Sequence, residues 1–140
     1  MKLSPDVPNI GEIAKACVEQ GADCITAINT VGGMCIDAHA RKPVLHNRFG
    51  GISGPSIKPV ALKSVYLIRK AVGDKVPVIG TGGVSKGIDA IEMIMAGATA
   101  VGVGTAVGIR KNAFREIASE MEIFMKENGY SKLSQLKLEE

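Results

Sequence analysis

Val78-Ile79-Gly80-Thr81-Gly82-Gly83 and, further on, Val101-Gly102-Val103-Gly104-Thr105 decide how this chain is read. Each is a short apolar run ending in glycine, the pattern of a buried parallel strand handing over to a helix. Glycine at such a junction lets backbone N–H groups approach a phosphate closely. A helix-like segment separates the two runs, so the turns fall at the same ends of neighbouring parallel strands. Two such turns in succession are the phosphate grip that follows strands 7 and 8 of many (β/α)₈ barrels.

Working outward, the same alternation recurs. Met1 to Leu3 reads as the tail of a strand. Asn9 is placed to cap a helix running to about Gln20, with Ile10, Ile13, Ala14 and Cys17 on one face, and Gly21 ends it. Cys24 to Asn29 is a strand. A Gly-rich, polar loop of about 28 residues follows, Thr30 to Ile57, with a small hairpin expected around Lys42-Pro43-Val44-Leu45. Lys58 to Ala71 is helical, with Val60, Ala61, Val65 and Ile68 inward. Val76 to Gly80 is a strand, Ser85 caps a helix to Ala96, and Thr99 to Val103 is the last strand. Asn112 opens a long helix to about Asn128, and a short helix is expected in the tail from Tyr130.

This order implies an α/β fold of right-handed crossovers in one parallel sheet of about four strands. A complete barrel takes about 250 residues, so residues 1–140 read as one unit without internal boundary, the C-terminal half of a TIM (β/α)₈ barrel and a piece of a longer chain. Such a sheet leaves two strand edges unpaired. A long internal loop of this kind is characteristic of lids and binding loops.

Composition narrows the function classes. Hydrophobic residues make up 46% and aromatics only 4%, with no Trp, which suits an aliphatic core and a parallel sheet buried on both faces. Net charge is +3 with mixed signs throughout, and no basic block points to nucleic acid. The three cysteines, Cys17, Cys24 and Cys35, form no CxxC pair, as expected of a reducing compartment, with Cys17 and Cys24 as small core residues. No signal peptide or membrane-length apolar run is present, so a cytoplasmic location is expected.

Several residues sit where barrel enzymes place chemistry. Lys2, at a strand end, reads equally as a surface lysine or as a point cation for a phosphate or an electron-rich cofactor. Asn29-Thr30 is either a turn-capping pair or a donor–acceptor set for a planar polar ligand. Ser53-Gly54 ahead of Ile57 is a third possible anion turn. His39 and His46 have no partner at metal spacing, so no metal site is expected. No Ser-His-Asp set, Walker motif or carboxylate pair stands out.

Lys2-Leu3-Ser4-Pro5, Ile28-Asn29-Thr30, Gly32-Gly33-Met34, Arg41-Lys42-Pro43, Gly50-Gly51-Ile52-Ser53-Gly54-Pro55, Ile57-Lys58-Pro59, Gly80-Thr81-Gly82-Gly83 and Val103-Gly104-Thr105 together resemble the C-terminal half of class 1 dihydroorotate dehydrogenases. The likeness is greatest to the NAD-linked form, class 1B, and covers nearly the whole chain in order. The resemblance implies an FMN flavoprotein that oxidises dihydroorotate to orotate in pyrimidine synthesis. By position it implies that Lys2 contacts the isoalloxazine and Ile28 lines the flavin site. Asn29 and Thr30 would bind the substrate ring. Gly54, Gly82, Gly83, Gly104 and Thr105 would hold FMN, the last four at its phosphate. It further implies a homo- or hetero-oligomer with an FAD and iron–sulfur electron-transfer subunit.

The family's catalytic base, a Cys in this class, lies on a loop of the other half. None of Cys17, Cys24 and Cys35 matches it, so no catalytic residue is expected in this chain. The alternatives are a dihydropyrimidine dehydrogenase domain, which shares the barrel, FMN and an Asn-Thr pair, or an inactive half-barrel that only binds a phosphate ligand. The Gly104-Thr105 pair and the Arg-Lys-Pro loop look more like the dihydroorotate enzyme than the first of these.

Overall fold

The computed structural model describes residues 1–139. The elements follow in the order β1 (Lys2–Leu3), α1 (Ile10–Glu19), β2 (Ile25–Ala27), β3 (Val31–Met34), β4 (Ile36–Asp37), β5 (Lys42–Pro43), β6 (Phe49–Ile52), α2 (Lys58–Val72), β7 (Val78–Thr81), α3 (Gly87–Met95), β8 (Ala100–Gly102), α4 (Thr105–Ile109) and α5 (Ala113–Glu127). Short 3₁₀ turns occupy Pro55–Ile57 and Leu133–Gln135.

Four strands form one parallel sheet in the order β1-β2-β7-β8. Lys2 lies opposite Thr26, Thr26 opposite Ile79, and Ile79 opposite Ala100. Leu3, Ala27, Gly80 and Val101 form the next row. Side chains alternate between faces along a strand, so these rows point to opposite sides. The second row faces the helices: Leu3, Ala27 and Gly80 are buried, as are Ile25 and Val78. The first row is exposed at Lys2 and Ala100 and half-buried at Thr26 and Ile79. Composition suggested burial on both faces; the helices cover one. A count of apolar residues carries no information on which side of the pleat they stand.

The helical layer is built from periodicity. In α1, Ile10 and Ala14 are buried, while Ile13 is 38% exposed because it lies round the helix from them. Asn9 caps this helix as expected, its Oδ1 accepting from Glu12 N at 3.3 Å. In α2, Ala61, Val65 and Ile68 are buried at the expected spacing. Val60 is the exception: it faces out at 39% exposure, and its place inside is taken by Ser64. The Ser64 hydroxyl donates to Val60 O at 2.8 Å, which satisfies it without leaving the helix. Each fully buried Ile or Val contributes roughly 1.5–3 kcal/mol, so the row Ile25, Ile28, Val65, Ile68, Val78 and Ile91 dominates the stability of this layer. Gly80 permits the close fit: a Cβ there would lie 3.0 Å from Ala98 Cβ and 3.1 Å from Met93 Sδ.

The segment from Thr30 to Ile57 departs from the expected loop. It is a β arm: β3 pairs antiparallel with β6, and β4 with β5. Lys42-Pro43 does belong to a hairpin, its partner being Ile36-Asp37. Asp37 Oδ1 accepts from His39 N and Ala40 N, both at 2.9 Å, and so forms the turn. The arm escaped sequence reading because the middle of the β3–β6 ladder is glycine paired with glycine, Gly32 with Gly51 and Gly33 with Gly50, a residue depleted in strands. Helix α4 was likewise unexpected. Cys17 is half-buried and packs against the core, Cys24 is half-buried outside it, and Cys35 on the arm is exposed. No helix among the described residues is long and apolar enough to cross a membrane.

Candidate functional site

Three glycine turns meet at one end of the parallel sheet. After β7, Gly82 and Gly83 both take positive φ, 129° and 78°. Gly83 has a second constraint: a Cβ there would lie 2.6–2.8 Å from Lys58 Cβ, N and Cα. The turn therefore packs directly on the first residue of α2, and no other residue fits. After β8, Gly104 precedes α4, whose first N–H groups have no intrahelical acceptor. Ahead of α2, Gly54 at φ 90° turns the chain into Pro55–Ile57.

These turns, with Lys2 at the end of β1 and Ile28, Asn29 and Thr30 after β2, line one cavity of about 400 Å³. Lys2, Ile28, Asn29, Thr30, Gly54, Gly82, Gly83, Gly104 and Thr105 all face it, so the residues to which the resemblance gave cofactor and substrate roles are brought together. The volume lies in the range of small-molecule sites, roughly 300–1,000 Å³. Backbone bonds set the geometry of the rim: Asn29 N donates to Leu3 O at 2.8 Å, and Ile28 N to Thr81 O at 2.7 Å.

The lining is positively charged. Lys2, Lys86 and Arg110 contribute cations, and among the described residues no Asp, Glu, His or Cys lies on the cavity wall. Lys86 and Arg110 had not been singled out from the sequence. Arg110 follows the unexpected helix α4, and no local motif marks it. The wall otherwise carries apolar Ile28, Pro55, Ile57, Val84 and Ile109 beside hydroxyls of Ser53, Thr81, Ser85 and Thr105. Such a set suits a planar, partly apolar ligand that ends in an anion. A Cβ at Gly104 meets no atom within 4 Å, so the space beside this turn is open for an anion to enter.

Beside the Gly82-Gly83 turn lies an ion-pair cluster. Lys58 Nζ is 2.7 Å from Asp89 Oδ1 and 2.7 Å from Glu92 Oε2. The contact to Glu92 is one of charge, without hydrogen-bond alignment. The other Asp89 oxygen accepts from Ser85 N at 2.9 Å, Ser85 Oγ at 3.0 Å and Lys86 N at 2.9 Å. Ser85 was expected to cap α3; instead Asp89, in the first turn of the helix, reaches back to Ser85 and Lys86. Burial pushes the Asp89 carboxyl up, but the bonds from Lys58, Ser85 and Lys86 outweigh it and hold its pKa below the usual value. The hydrogen bond to Asp89, and then the adjacent Glu92 carboxylate, raise the Lys58 pKa against the opposing effect of burial.

The cysteines stand apart from the cavity. Cys17 and Cys24 border a separate cleft with Met1 and Ile13, and Cys35 lies on the arm. Among the described residues no group of three or more His, Cys, Asp or Glu side chains is placed to hold a metal ion.

Comparison with known proteins bears on the whole chain. Residues 1–125 match the family model described as dihydroorotate dehydrogenase. The catalytic subunit of dihydroorotate dehydrogenase B (NAD(+)) from Geotalea uraniireducens is 51% identical over 136 residues, 97% of this chain and 44% of the relative. The corresponding subunits of Trichlorobacter lovleyi and Desulforamulus reducens are 52% and 49% identical over the same share. The chain thus spans less than half the length of these curated relatives. The NAD-linked form is the one that the motifs from Lys2 to Thr105 resemble, and with a matching family model and identities near one half, this chain belongs to the dihydroorotate dehydrogenase family.

Proposed function

We propose that this chain carries the flavin-phosphate and substrate-ring portion of an FMN-dependent enzyme that oxidises dihydroorotate to orotate. The observation that carries the reading is the convergence of three glycine turns and three cations on one cavity without a carboxylate. Bound FMN would supply the redox chemistry by accepting a hydride from the substrate.

The chain's own residues would then bind and orient. The N–H groups of the Gly82-Gly83 and Gly104-Thr105 turns would take the phosphate, and Gly54 would let backbone approach the flavin. Lys2, a point cation on the open face of β1, would stand against the isoalloxazine and favour electron density there. Ile28 would form the wall of the flavin site. Asn29 offers both donors and an acceptor and Thr30 a hydroxyl, a set able to read the amide and carbonyl edge of a pyrimidine ring. The substrate proton would leave to a base outside these residues, since among the described residues no carboxylate, imidazole or thiol lines the cavity.

As a partner we propose an electron-transfer subunit bearing FAD and an iron–sulfur centre. The relatives are named as catalytic subunits of an NAD(+) enzyme, which supports a second subunit.

The test is flavin retention by the full-length protein with Gly104→Phe. A Cβ at Gly104 meets no atom within 4 Å, so the added side chain points into open space. The variant should fold and purify colourless, and the unaltered protein should purify yellow. A yellow Gly104→Phe protein would show that the phosphate does not sit at this turn.

A further inference from the structure

We infer that Arg110 is a positioning residue that clamps the two glycine turns together and thereby makes the cavity select a phosphorylated ligand. This rests on the reading of those turns as the phosphate end of the site. Arg110 directly follows α4, and its N–H donates to Ala106 O at 2.8 Å, so its backbone moves with the turn that begins at Gly104. Its side chain crosses to the other turn. Nη2 donates to the carbonyl of Ser85, at the end of the Gly82-to-Ser85 turn. Nη1 donates to Glu116 Oε2 at 2.7 Å, anchoring the fork to α5. One guanidinium thus ties together the turn after β7, the turn after β8 and a long helix.

The chemistry requires arginine. A planar guanidinium holds donors in fixed directions and can serve two acceptors on different elements at once, whereas a lysine ammonium is a single point. Two of its five N–H donors are used by these bonds, and Arg110 is one of the residues lining the cavity, so three donors are not taken up by the clamp. Glu116 offsets the charge, so the contribution of Arg110 is spacing more than net attraction. Spacing matters because N–H groups from two turns can converge on one dianion only if the turns are held within a fraction of an ångström. An unphosphorylated flavin uses the rest of the cavity and is indifferent to the clamp.

The experiment measures dissociation constants for FMN and riboflavin by flavin fluorescence quenching in the full-length protein, with R110A, R110K and E116A beside the unaltered chain. Amide hydrogen exchange of the ligand-free proteins is recorded in parallel. R110A should weaken FMN by about tenfold or more while riboflavin changes by less than about twofold, a loss of phosphate-directed binding. R110K should recover only part of the loss. E116A, which removes one anchor and leaves Arg110 in place, should lower the FMN-to-riboflavin preference in the same direction, and it serves if R110A does not fold. Exchange should quicken at residues 82–86 and 104–106. Equal loss for both flavins, or no loss for either, overturns the proposal. If the unaltered protein binds neither flavin, the reading of the site fails on its own account; the clamp is then judged by exchange alone, and unchanged exchange in R110A overturns it.

Discussion

Lys58 Nζ and Asp89 Oδ1 lie 2.7 Å apart, joining the first residue of α2 to the first turn of α3 beside the Gly82-Gly83 turn. The same carboxylate receives three further donors from Ser85 and Lys86, so a single side chain fixes the course of the backbone that leaves β7. The floor of the candidate phosphate site is therefore held by a charge pair between helices, and its strength depends on pH. The Asp89 pKa is depressed in the folded chain, so its contribution is full above the unfolded carboxylate value, about 3.9, and is lost as pH falls through the lower folded value. The Lys58 pKa is raised, so its contribution is full below its usual 10.5 and is lost as pH rises through the higher folded value. Thermal unfolding of the unaltered protein should include an acid-labile component below about pH 4. Asp89→Ala should remove that component and cost about 2–3 kcal/mol, since it leaves Lys58 without its best partner and three donors unmet. Parallel acid profiles for the two proteins would contradict this.

Arg69 performs a similar function at the other end of the sheet. Its Nε donates to Gly97 O at 2.8 Å, Nη1 to Val76 O at 2.9 Å and to Gly73 O, and Nη2 to Thr99 Oγ1 at 3.0 Å. The guanidinium thus satisfies carbonyls between α2 and β7 and before β8 from the last turn of α2. Arg69→Lys should not rescue: both Arg69→Ala and Arg69→Lys should lose about 2 kcal/mol or more in denaturant unfolding, because one ammonium cannot reach four acceptors. A lysine variant of unaltered stability would show that charge alone suffices.

The outer strands β1 and β8 each present one side to no other strand of the sheet. Prepared as a 140-residue polypeptide, the chain should therefore self-associate through these edges. Light scattering checks this, and a stable monomer at high concentration would count against the edge argument.

The same polypeptide should not oxidise dihydroorotate with an added acceptor dye. Proton removal needs a base within hydrogen-bond reach of the substrate, and among the described residues the cavity wall carries no carboxylate, imidazole or thiol. Measurable turnover would assign the base to a residue within this chain.

Much of the site was legible in the sequence because its residues are consecutive with strand ends. Glycines at Gly82, Gly83 and Gly104 announce themselves by following apolar runs, and parallel topology then brings them together. The helices α1 and α2 were legible to within a few residues, since their buried positions recur at helical spacing and Asn9 and Gly21 punctuate the first. What escaped was non-local. Asp89 lies 31 residues from Lys58, and Ser85 lies 25 residues from Arg110. Nothing in the spacing within either segment encodes such a pair, although Asp89, an acidic residue in the first turn of α3, is a local capping signal. The arm escaped for a different reason: glycine-to-glycine pairing between β3 and β6 offers no hydrophobic alternation from which strands are read.

The central claim is that the turns after β7 and β8 hold the phosphate of FMN. A crystal structure of the full-length protein with FMN tests it most directly. The claim predicts phosphate oxygens within about 3 Å of backbone N–H groups from both the Gly82-Gly83 and Gly104-Thr105 turns, with the ring system toward Lys2 and Asn29. A phosphate bound elsewhere, or a cavity filled with flavin in the reverse direction, would contradict it.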